Sequence, residues 1–68
     1  MDQETFNLSI RKFLKVVGVS SQREIENAVA KATADGTLGG KTKLPATMTL
    51  AIAGLELEVR FDGEIDLG

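Results

Sequence analysis

The chain has 68 residues, no cysteine and no histidine, and its eight basic and ten acidic side chains give a formal net charge of −2. That composition excludes a disulfide framework and a thiolate metal site, leaves zinc without its usual ligands, and argues against a general electrostatic grip on nucleic acid. A chain so short holds one domain at most and buries only about 60% of the surface that its unfolded form exposes.

From the N-terminus, Phe6, Ile10, Phe13, Leu14 and Val17 recur at spacings of three and four, the pattern of an amphipathic helix over about 3–17. Asp2 and Glu4 suit the positive end of its dipole, and Lys12 and Lys15 lie toward the other end. Gly18 is a natural stop. Ser21 with Glu24 three residues on is a capping box, so a second helix is expected over about 22–34, with a small stripe of Ile25, Ala28, Val29 and Ala32. Asp35-Gly36 ends it.

Residues 36–45 read as a connector rich in glycine, held to the core by Leu38 and Leu44. Its Gly39-Gly40-Lys41-Thr42 imitates the end of a phosphate-binding loop. Position 35 is aspartate where that pattern needs glycine, and a helix precedes where a strand should. A connector is the better reading.

From Ala46 the period changes to two. Ala46, Met48, Leu50 and Ile52 alternate with Thr47, Thr49 and Ala51; Leu55, Leu57, Val59 and Phe61 alternate with Glu56, Glu58 and Arg60. Strict alternation marks half-buried strands. Strands are expected at about 46–53, 55–61 and 64–67. A two-residue loop at Ala53-Gly54 would place Ile52 opposite Leu55, Leu50 opposite Leu57 and Met48 opposite Val59. A second turn, with Gly63 as a left-handed bulge residue, would place Arg60 opposite Glu64. The weak point is Ala53, which resists the positive φ that a two-residue loop demands.

The fold so predicted is α+β and two-layered. Two N-terminal helices pack on one face of a three-stranded antiparallel meander (ααβββ). The core would comprise Phe6, Ile10, Phe13, Leu14, Val17, Ile25, Val29, Leu50, Ile52, Leu57, Val59 and Phe61. No apolar run reaches the length of a membrane span and no charged-then-apolar leader opens the chain, so a cytoplasmic protein is expected.

Little in the sequence offers chemistry. Asp62, Glu64 and Asp66 alternate as calcium-loop ligands do, but the loop's glycine and closing glutamate are missing. Glu56 and Glu58 would need a pocket to act as acid and base. Ser20 and Ser21 have no histidine to activate them. The expectation is therefore no catalytic residue, no metal, no cofactor and no enzyme activity.

Two surfaces remain. Leu8, Arg11, Lys12 and Lys15 lie off the apolar stripe of the first helix and suit an acidic partner. Thr47 and Thr49 lie on the first strand, whose edge could take up another strand or a second copy. The sequence thus suggests a non-enzymatic protein-interaction module. The alternative is weak nucleic-acid binding through the basic helix face. A helix pair and hairpin is the outline of winged-helix binders, but the second helix carries few basic residues and the hairpin is acidic. Up to Lys43, seven basic residues face five acidic ones; from Leu44 onward Arg60 stands alone against five.

Four stretches carry a resemblance: Thr5–Lys15, Ser21–Glu26, Leu44–Leu50 and Asp62–Ile65. In these the chain resembles a family of short bacterial proteins classified as a domain of unknown function. The resemblance spans nearly the whole chain. It implies a bacterial, stand-alone, single-domain protein and brings no activity, ligand or site residue with it.

Overall fold

The computed structural model describes residues 1–68. It is α+β with fewer elements than expected: helix α1 (Gln3–Asp35), strand β1 (Lys43–Ile52), a 3-10 turn (Ala53–Leu55) and strand β2 (Leu57–Asp66). The chain divides into two compact units, the helical Met1–Leu38 and the β unit Gly39–Gly68.

The expected helix pair is one helix of 33 residues. Gly18, read as a stop, sits in its interior. An interior glycine costs about 1 kcal/mol relative to alanine, whereas a break would leave the end carbonyls of one helix and the first amides of the next to be satisfied anew. The apolar stripe also gains nothing from a break, because Val17, Ser21 and Ile25 follow one another at spacings of four and stay in phase. The Ser21–Glu24 box is therefore an interior pair and not a cap.

The real caps lie outside it. Asp2 is the N-cap: its carboxylate accepts from the Glu4 amide at 3.0 Å, the Thr5 amide at 3.4 Å and the Thr5 hydroxyl at 2.8 Å. At the other end Gly36 adopts φ 72°. Its amide donates to the Thr33 carbonyl, and the Thr37 amide to the Ala32 carbonyl, the two-bond closure that a left-handed glycine permits.

The expected meander is a hairpin of two ten-residue strands. β2 runs straight through Asp62-Gly63-Glu64, where a turn and bulge were expected. Gly63 lies in the strand opposite Ala46, at a negative φ. Leu57, Val59, Phe61, Gly63 and Ile65 form an unbroken period of two in which the glycine is merely a position without a side chain. Keeping the strand straight lets it pair with Leu44 and Pro45 as well, residues that had been placed in the connector.

The first turn also differs. Ile52 pairs with Leu57, Leu50 with Val59 and Met48 with Phe61, a shift of two residues from the expected register. The parity is unchanged, so every apolar residue keeps its face. The cause is Ala53: the chain avoids left-handed backbone there and takes a longer loop. Its one left-handed residue is Glu56, at φ 52° and ψ 34°.

The hydrogen-bond phase of the ladder follows from its open end. The Leu67 amide donates to the Thr42 carbonyl at 2.7 Å. Bonded and non-bonded pairs alternate along antiparallel strands. Pro45–Glu64 is then a non-bonded pair, and the amide that proline lacks is one that would point to the outer edge.

No residue of the chain is buried. Of the expected core, Phe6, Ile10, Phe13, Leu14, Ile25, Ile52, Val59 and Phe61 are exposed, while Val17, Val29, Leu50 and Leu57 are half-buried.

Candidate functional site

The helix presents the first of these surfaces. At 100° per residue, Phe6, Ile10, Phe13, Leu14, Val17, Ser21, Ile25, Ala28 and Ala32 fall within about 120° of its circumference. Positions recur every eleven residues, Phe6, Val17 and Ala28 and then Ile10, Ser21 and Ala32, but Glu24 and Lys31 fall in the same arc, so the stripe is dominated by apolar side chains only in the N-terminal half of the helix. An eleven-residue repeat advances 3.67 residues per turn, close to the helix's own 3.6, so the stripe hardly drifts. Phe13 is 54% exposed and Phe6 45%. This signal was present in the sequence but hidden by dividing the helix at Gly18.

The hairpin presents the second. Its paired residues on one face are Leu44 with Ile65, Ala46 with Gly63, Met48 with Phe61, Leu50 with Val59 and Ile52 with Leu57. None of these ten carries a polar side chain. The opposite face pairs Lys43 with Asp66, Pro45 with Glu64, Thr47 with Asp62, Thr49 with Arg60 and Ala51 with Glu58.

The residues singled out from the sequence are all exposed. Leu8, Arg11, Lys12 and Lys15 share about 100° of the helix surface, away from the apolar stripe. Val16 and Val19, which the sequence reading left out, are exposed at 58% and 54%, and Val19 lies among the same basic residues. Thr47 and Thr49 lie on the polar face of the hairpin. The Thr47 hydroxyl donates to Asp62 Oδ1 at 3.2 Å. The expected Arg60–Glu64 pair is instead Arg60–Asp62, with Nε to Oδ1 at 2.9 Å along the strand. Straightening β2 removed the turn that would have set Arg60 opposite Glu64, and placed Asp62 two residues along on the same face.

The carboxylates do not assemble into a site. Glu56 caps the turn, Glu58 lies on the polar face, and Asp62, Glu64 and Asp66 are strung along β2. No three side chains of a metal-ligating kind come together. Gly39-Gly40-Lys41-Thr42 forms a turn leading into a strand, β1, where a phosphate-binding loop would lead into a helix. Asp2 has a perturbed acidity: the Thr5 hydroxyl, then the Thr5 and Glu4 amides, hold its carboxyl below the ordinary aspartate value of 3.8. That is a cap's signature, not a catalyst's. No helix is long and apolar enough to cross a membrane.

A model of the family described as "Family of unknown function (DUF6494)" matches residues 1–68. No curated protein and no solved structure matches the chain.

Proposed function

We propose, for a chain that belongs to the family of unknown function DUF6494 along its whole length, that it is a non-enzymatic protein-interaction module working through the apolar stripe of α1. One observation carries this reading: Phe6, Ile10, Phe13, Leu14 and Val17 form an apolar stripe on the N-terminal half of a 33-residue helix, and the first four of them are exposed. Exposed apolar surface of that extent marks a binding surface. A long amphipathic helix is a common recognition element, read through anchors at helical spacing. The basic face of Leu8, Arg11, Lys12 and Lys15 would steer an acidic partner toward the stripe and set its orientation. The β1 edge around Thr47 and Thr49 is a narrower contact, since Pro45 interrupts it.

Affinity capture from the native host, with the full chain as bait, tests this. The wild-type chain should recover a defined partner, and Phe13→Asp should lose it while keeping its helix by circular dichroism. Equal recovery by both chains would refute the stripe as the contact.

Weak nucleic-acid binding is the second reading. Its support is that no acidic residue interrupts the stretch between Glu4 and Glu24, which carries Arg11, Lys12, Lys15 and Arg23. It requires a salt-dependent shift of duplex DNA that Lys12→Glu abolishes.

A further inference from the structure

The sheet has two strands only, so each strand leaves one edge unpaired. The ladder phase set by Thr42 and Leu67 decides which groups line those edges. On β2 the amides and carbonyls of Glu58, Arg60, Asp62, Glu64 and Asp66 point outward in an unbroken row. On β1 the same row is broken by Pro45. A strand docking on this sheet therefore gains a full set of backbone bonds only along β2.

The side chains beside that edge specify what can dock. The five residues with outward backbone also carry the polar face of β2, four carboxylates and the Arg60 guanidinium. Arg60 is already engaged by Asp62. Glu58, Glu64 and Asp66 pair with no cation, and across the sheet Glu58 and Glu64 meet only Ala51 and Pro45. On the apolar face of the same strand, Gly63 leaves a gap between Phe61 and Ile65, where an added Cβ meets nothing within 4 Å. An aromatic ring on a neighbouring strand fills the gap that an edge glycine leaves.

We infer that the outer edge of β2 binds an extended basic segment of a partner protein. The segment adds a third strand, with an aromatic residue beside Gly63 and a lysine or arginine beside Glu64 and beside Asp66. This surface is distinct from the α1 stripe. A second copy of β2 is the poorer occupant: two such strands, antiparallel and centred on Asp62, set Glu58 against Asp66 and Asp62 against itself, and like charges directly opposite are destabilising. The acidic row thus repels its own kind and admits a basic strand. A third strand also strengthens the sheet, since a two-stranded hairpin is marginal by itself.

The test titrates the full chain with the synthetic peptide Lys-Val-Lys-Phe-Lys-Val-Glu-Val-Lys, following amide exchange by NMR. Running antiparallel to β2, this peptide places phenylalanine beside Gly63, lysine beside Glu58, Asp62, Glu64 and Asp66, and glutamate beside Arg60. The expected result is slower exchange at the amides of Glu58, Arg60, Asp62, Glu64 and Asp66 and no change at Thr47 and Thr49, on the outer edge of β1. Affinity should fall as salt rises and drop about fivefold in Glu64→Lys. The same peptide with every charge reversed should not bind. Protection at Thr47 and Thr49 instead, no protection along β2 with excess peptide, equal protection by the charge-reversed peptide, or unchanged affinity in Glu64→Lys would each overturn the proposal. So would protection of the β2 amides in the chain alone as its concentration rises, which would make a second copy the occupant.

Discussion

Thr47 and Asp62 face each other across the hairpin, and the Thr47 hydroxyl donates to Asp62 Oδ1 at 3.2 Å. The same oxygen accepts from Arg60 Nε at 2.9 Å. Asp62 thus ties a cross-strand neighbour and a same-strand neighbour into one polar cluster, on the face of the sheet opposite its apolar one.

That cluster is open to water, with the Arg60 and Asp62 side chains 68% and 66% exposed. Its contribution is accordingly small. A double-mutant cycle between Thr47→Val and Asp62→Ala should give a coupling of about 0.2–1 kcal/mol in urea unfolding. A coupling above about 2 kcal/mol would mean that this face is covered when the protein is folded.

Gly18 separates the continuous helix from a helix pair. A Cβ built at Gly18 meets nothing within 4 Å, and its φ is not positive. Gly18→Ala should therefore raise the unfolding free energy by about 1 kcal/mol. At a left-handed helix stop the same change would destabilise by a similar amount, so the sign alone decides.

Glu56 carries the opposite lesson. It is a non-glycine residue at φ 52°, a conformation that costs an L-residue about 1–2 kcal/mol. Glu56→Gly should stabilise the hairpin by about 1 kcal/mol, less the entropy that glycine returns to the unfolded chain. Slower amide exchange at Leu50 and Val59 would register it.

Asp2 makes the helix start pH-dependent. Its carboxyl is held below 3.8 in the folded chain, so the stabilisation it provides is fully present above the unfolded value and is lost as pH falls through the folded one. Amide shifts of Glu4 and Thr5 should follow that titration. Asp2→Asn should keep the cap and flatten the pH response. Thr5→Val, which removes the largest cause of the shift, should move the titration back toward the ordinary aspartate value.

The α+β class and the order of helix before strands were legible because both rest on hydrophobic period, and the faces of Met48 to Phe61 were correct because parity survives a shift of two. The glycine stop at Gly36 was read correctly, whereas two other glycines were mistaken for breaks. Gly18 and Gly63 both lie inside regular structure, the first because the stripe continues in phase through Ser21, the second because Ile65 continues the alternation. The hairpin register failed at Ala53, whose reluctance toward positive φ was visible but was not followed to a longer loop. The exposure of Phe6, Ile10 and Phe13 was missed for a different reason: they were assigned to a core, and a helical period alone does not say whether an apolar stripe is covered.

Pro45 also limits how this protein can polymerise. With the ladder phased as it is, β1 offers its outer edge with a donor missing, while β2 offers the amides of Glu58, Arg60, Asp62, Glu64 and Asp66 without a gap. If two hairpins join through β2, the product is a four-stranded sheet whose two remaining borders both carry the proline. Growth stops there, since each border refuses a further strand at the same point.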